Sequence, residues 1–205
     1  MTSVRVKIVS ADTHHIADAH EIKVRLQPCT PAFANSLRRI MMTEIQTWAI
    51  DKVLVRKNNT NMQDELLAHR IGLVPVLVPQ TFTRKKVKFR AHVRCGSKLP
   101  FVDLKNADFQ TETVGATLGQ GKIGLCRLAP NQEIDIQAIA KKGCGMQNAK
   151  WSPVTCATFD EASDYETTRA IHVCIETVDS CKAINILRAA CQNLVSKTET
   201  YLSEL

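Results

Sequence analysis

The chain places few reactive side chains close together. Asp64, Glu65, His69 and Arg70 fall within seven positions, where a helix would set the acids one turn from the bases. That spacing makes surface ion pairs. Acid–base catalysis would need a second perturbed group beside the carboxylate, and the sequence supplies none. Lys86, Lys88, Arg90 and Arg94 alternate with Val87, Phe89, Ala91 and Val93, so a strand would line the cations on one face. Such a face either meets phosphate or an acidic protein, or is simply solvated. No aromatic residue is interleaved with the cations, so base stacking is not indicated.

Nucleophile and metal signatures are also missing. The sequence has no G-x-S-x-G, phosphate-binding P-loop, H-E-x-x-H or D-x-D pattern. "GQGKIG" lacks the strand–glycine–helix context of a phosphate cradle and reads as a turn. The eight cysteines include no C-x-x-C pair and no Cys/His cluster with zinc-finger spacing. They read as reduced thiols serving as small hydrophobes. No metal or cofactor is expected. The net charge of +7 points to acidic or nucleic-acid partners without specifying either. No apolar run reaches the roughly 20 residues that span a bilayer, and the amino terminus does not read as a signal peptide. An intracellular protein without a membrane partner is expected.

The elements that must position these residues form a nested pattern. Val4, Val6 and Ile8 alternate with basic residues, as do Ile22, Val24 and Leu26, giving two half-buried strands. Thr30 and Pro31 form a helix start. From there "FANSLRRIMMTEIQTWAID" (33–51) projects Phe33, Leu37, Ile40, Met41, Ile45 and Trp48 into a wedge of roughly 140°. Arg38 sits at its margin and Arg39 away from it. Glu44 interrupts the apolar stripe and is expected to have a basic or N–H partner. The middle reads as strands around a short helix in "DELLAHRIGLVPV", stopped near Gly72 and Pro75. It ends with "KKGCGMQNAKWSP" as a loop and "VTCATF" as a last central strand. "DEASDYETTR" reads as a linker, "AIHVCIETV" as a strand, and a long helix starts near Asp179. That helix carries an apolar seam at Ile184, Leu187, Cys191, Leu194, Thr198, Tyr201 and Leu205. Both chain ends therefore offer a strand and an amphipathic helix, able to form one lobe whose leftover apolar face would seek a partner.

Four stretches carry a family resemblance: the first-helix segment with its twin arginines, "DELLAHRIGLVPV", "LAPNQEIDIQAIAKKGCGMQNAKWSPV", and the carboxy-terminal strand and helix. In this order they resemble the alpha-like subunits of multisubunit DNA-directed RNA polymerases, over nearly the whole chain. The resemblance implies an α+β fold: a discontinuous dimerisation lobe (1–48 with 166–205) and an inserted β-rich domain (49–165). It implies a non-catalytic assembly scaffold in a nucleotidyltransferase complex, pairing with a smaller alpha-like subunit. The candidates for that interface are Phe33, Leu37, Ile40, Met41, Ile184, Leu187, Leu194 and Tyr201. By the same resemblance Arg38, Arg39, His69 and Arg70 face the second-largest, catalytic-side subunit. Lys150 and Trp151 meet a large subunit or a small zinc-binding one. DNA would be met only indirectly, through the complex. Location would be the nucleus for a cellular eukaryotic subunit, and the cytoplasm or virion for a virus-encoded one. Many relatives carry a cysteine-rich zinc loop or an iron–sulfur insertion in the middle domain. Here that region holds only Cys95, so no metal site is carried over. The alternative is a free-standing basic nucleic-acid-binding module built on the Lys86–Arg94 face.

Overall fold

The computed structural model describes residues 4–13, 15–79, 82–161, 169–178 and 180–204. In chain order the elements are β1 (Arg5–Ala11), β2 (Glu21–Gln27), α1 (Pro31–Thr43), β3 (Gln46–Asn58), α2 (Asp64–Gly72), β4 (Val76–Leu77) and β5 (Lys86–Arg94). They continue with β6 (Val102–Lys105), β7 (Gln110–Thr111), β8 (Thr117–Leu118), β9 (Gly124–Leu128), β10 (Glu133–Cys144), β11 (Val154–Glu161), β12 (Ile171–Thr177) and α3 (Ala183–Glu204). The chain divides into a terminal unit, Met1–Thr47 with Cys144–Leu205, and an inserted unit, Trp48–Gly143.

The terminal unit is a four-stranded antiparallel sheet, in the order β1-β2-β12-β11, covered on one face by two helices. Alternation decides which face is covered. Ile22, Val24 and Leu26 stand opposite Ile175, Val173 and Ile171 and are all buried. Onto them α1 lays Ala34, Leu37, Ile40 and Met41, and α3 lays Ala183, Ile186, Leu187 and Ala190. Each larger aliphatic side chain so buried contributes about 1.5–3 kcal/mol. The Thr30 hydroxyl accepts the Phe33 N–H at 3.3 Å, and Pro31 occupies the first turn, where a missing donor costs nothing.

Three sequence expectations change here. The first helix ends at Thr43, so Trp48 belongs to a strand and not to the helix's apolar wedge. The β-favouring run from Thr47 to Val55 takes over there. The stop is built by the 144–147 turn, in which the Met146 N–H donates to the Thr43 carbonyl at 2.9 Å. The strand over "VTCATF" is not central to the middle domain. As β11 it pairs with β12 along its length, which moves it out of the inserted part expected at 49–165. The expected boundary itself, 165/166, lies outside the described residues, as do Asp179 and Leu205. Finally, the seam on the last helix does not follow one heptad line. The buried stripe is Ala183, Ile186, Leu187 and Ala190, and Cys191 is exposed. A helix lying on a sheet buries a broader stripe than a two-helix seam does.

The inserted unit is built on a sheet ordered β3-β10-β5-β7. Val87, Phe89 and Ala91 of β5 and Ile134, Ile136, Ala138 and Ala140 of β10 face a core that also takes Leu67 and Ile71 of α2. Two short pairs, β4–β8 and β6–β9, complete it. Buried Asn106 fastens the intervening loops. Its amide donates to the Leu118 carbonyl at 2.6 Å, and its oxygen accepts the Ile123 N–H at 2.8 Å.

Candidate dimerisation face

The two helices from opposite ends of the chain pack against each other on the terminal sheet. Where they meet, Lys197 donates to Glu44 Oε1 at 2.6 Å. This is the basic partner that the carboxylate in the apolar stripe calls for. The helix stops one residue earlier, so Glu44 is its C-cap and keeps some solvent access. Beside the ion pair a groove of about 350 Å³ is lined by Arg39, Ile40, Met146 and Leu194 among others.

The interface candidates fall into three groups. Leu37, Ile40, Met41 and Leu187 are buried in this chain's own core. Ile184 and Leu194 are half-buried at its margin. Phe33 and Tyr201 are exposed, Tyr201 by 66%. Sequence projection missed the other uncovered apolar positions: Met42 on α1, and Val195 and Leu202 on α3, the last 71% exposed. A signal for two of them exists. Val195 and Leu202 are seven residues apart, on a part of α3 that lies beyond Ala190, its last buried residue.

The docking candidates also separate. The Arg38 guanidinium is held by the Asn35 side chain at 3.0 and 3.1 Å and lies 3.2 Å from Met42 Sδ. Arg39 is exposed at the groove. Lys150 lies over the Trp151 ring, 4.4 Å from its centre. Trp151 itself is only 4% exposed, and its carbonyl accepts the Thr47 hydroxyl at 2.5 Å. Of this docking pair, then, Trp151 is buried and backs the side chain of Lys150. His69 and Arg70 are exposed on α2 in the inserted unit. The expected acid–base pairs along α2 do not form among the described residues. Arg70 instead donates to the Gly124 carbonyl at 3.0 Å, and Asp64 accepts from Asn58 at 2.7 Å.

The basic face of β5 is answered in part by acids from its neighbour β10. Arg90 lies 3.3 Å from Asp135, and His92 lies 2.9 Å from Glu133. Glu133 also takes Lys57 at 2.7 Å. The hydrogen bond from Lys57, then that from His92, holds its carboxyl below the usual range. Burial pushes the thiols of Cys29 and Cys181 up, away from the reactive thiolate. Among the described residues, no group of three or more His, Cys, Asp or Glu side chains could hold a metal ion. Among the described residues no helix is long and apolar enough to cross a membrane.

The family model described as the RNA polymerase Rpb3/Rpb11 dimerisation domain matches residues 23–198, a span that takes in α1 and most of α3. The chain belongs to this family. Among Rpb3-like relatives, it is 30% identical over 174 residues to the DNA-directed RNA polymerase subunit Rpo3 of Methanocaldococcus jannaschii, covering 85% of each chain. It is 34% identical over 149 residues to the DNA-directed RNA polymerase II subunit rpb3 of Dictyostelium discoideum, covering 62% of this chain and 49% of that one. With the mouse subunit RPAC1 of polymerases I and III it shares 32% identity over 164 residues, covering 62% and 47%. The chain thus spans about half the length of these eukaryotic relatives.

Proposed function

We propose that this Rpb3-like chain is a non-catalytic assembly scaffold of a DNA-directed RNA polymerase. It heterodimerises with a smaller alpha-like subunit through α1 and α3, then docks the large catalytic subunits. The observation that carries the reading is α3. It is anchored on the sheet through Ala190, then continues to Glu204 with Val195, Tyr201 and Leu202 uncovered. Exposed apolar side chains along one helix end are best accounted for by a partner. Phe33 and Met42 supply uncovered apolar surface on α1. Arg39, with Lys150 and the α2 residues His69 and Arg70, offers charged surface for the second-largest subunit and a small zinc-binding one. DNA is then met through the assembled enzyme, which in a eukaryotic cell is nuclear.

The free-standing nucleic-acid module is less well supported, because Asp135 and Glu133 neutralise part of the β5 face. Copurification of the tagged chain with its cellular partners tests the choice. Recovery of the smaller alpha-like subunit and the second-largest subunit supports the scaffold. Recovery of nucleic acid without them overturns it.

A further inference from the structure

Strand β1 is an edge of the terminal sheet, and its two faces differ in a telling way. On the helix-covered side Val6 stands opposite buried Leu26, yet the core does not reach it. Val6 is 62% exposed and Val4, beside it, 46%. On the other side Arg5 and Lys7 stand opposite Gln27 and Arg25. Among the described residues neither Arg5 nor Lys7 has a carboxylate partner. A register shift between Ile8 and Ser10 limits the regular edge to residues before it.

The geometry points to this edge as a strand-addition site for an extended segment of another protein, alternating acidic and apolar residues. An added strand satisfies the open backbone groups of β1, lays apolar side chains beside Val4 and Val6, and sets carboxylates beside Arg5 and Lys7. Charge selects this occupant over a second copy. Two β1 strands joined antiparallel about Val6 would set Arg5 against Lys7, cation against cation. A nucleic-acid backbone would answer the cations, but it has nothing for the valines or for the edge hydrogen bonds. Val4 shares a pocket with Phe33 of α1, whereas Arg5, Lys7 and the β1 backbone include none of the residues proposed for the heterodimer, so the site does not depend on that reading.

The test uses the full chain alone and a fluorescein-labelled octapeptide of alternating valine and glutamate, followed by fluorescence anisotropy. The account expects saturable binding that is weakened about tenfold or more by Arg5→Glu with Lys7→Glu. N-methylation of alternate peptide amides, which removes ladder donors, should weaken it likewise. Hydrogen exchange at residues 4–8 should slow when peptide is bound. Both cations are exposed, so the double variant should melt with the wild type, which guards against a folding artefact. Absence of binding overturns the proposal, as does binding indifferent to charge reversal and N-methylation. A short DNA duplex that binds through Arg5 and Lys7 where the peptide fails would assign the face to nucleic acid instead.

Discussion

Lys197 on α3 donates to Glu44 at the end of α1 at 2.6 Å, joining residues 153 positions apart in sequence. The pair closes the lobe between its two helices at the point where the second helix leaves the core. Lys197 is about half exposed and Glu44 less so. Such pairs contribute modestly, about 0–1 kcal/mol. Lys197→Ala should therefore lower the thermal midpoint only slightly and leave the fold intact. A melting curve in low and high salt checks this, since the difference between variant and wild type should shrink with salt.

Gly145 is a stricter requirement. A Cβ there would lie 2.0 Å from the Met42 carbonyl oxygen, part of the backbone at the end of α1. Gly145→Ala must displace the turn that stops the helix, at a cost of about 1–3 kcal/mol by analogy with overpacked cores. Urea unfolding of the variant would show a lower midpoint. An unchanged midpoint would mean that the turn moves freely.

Leu37 serves the lobe and not its surface. It is 1% exposed, inside the chain's own core. Leu37→Asp buries an unpaired carboxylate and should cost about 4 kcal/mol or more, unfolding the terminal unit before any partner is consulted. Circular dichroism of the isolated variant should show lost secondary structure. Leu202→Asp, at an exposed position, should leave that spectrum unchanged.

Glu133 gives the inserted unit a measurable acid sensitivity. Lys57 and His92 lower its folded pKa below the unfolded value of about 4.3. Its stabilisation is therefore full above that unfolded value, and is lost as pH falls towards the lower folded one. Glu133→Gln should remove this part of the acid dependence, which urea midpoints between neutral pH and about pH 3 would reveal. Identical pH slopes for variant and wild type would show the cluster to be energetically silent.

The strands and helices that alternate clearly were legible in the sequence, and the reasons are local. Thr30 and Pro31 mark a helix start by their own chemistry. The β2 and β12 valines and isoleucines mark a covered face by period alone. What the sequence hid depends on contacts across the chain. Trp48 looked helical because Ile45 and Trp48 continue a 3.6-residue period, whereas a turn at 144–147 ends the helix. β11 looked central because its partner β12 follows a polar stretch that reads as a boundary. For the candidate face, periodicity found apolar residues on both helices but could not divide those consumed inside the lobe, such as Met41, from those left outside, such as Tyr201. Only the position of the sheet makes that division. Trp151 was ambiguous for the same reason, since a tryptophan in a loop fits a core or a contact equally well.

Arg39 separates the two proposed contacts. It is exposed on α1, and its side chain adds nothing to the lobe's core. Arg39→Ala should leave the heterodimer with the smaller subunit intact and weaken capture of the second-largest subunit, a difference that a pull-down of each partner resolves. Loss of the heterodimer instead would reverse the assignment of the helix faces.

The central claim is tested most directly by the mass, from light scattering, of the particle formed when the chain is coexpressed with the smaller alpha-like subunit of the same polymerase. The account predicts a 1:1 complex that Val195→Asp with Leu202→Asp dissociates into a folded chain and its partner. A wild-type chain that stays monomeric and folded in the presence of that subunit would contradict it.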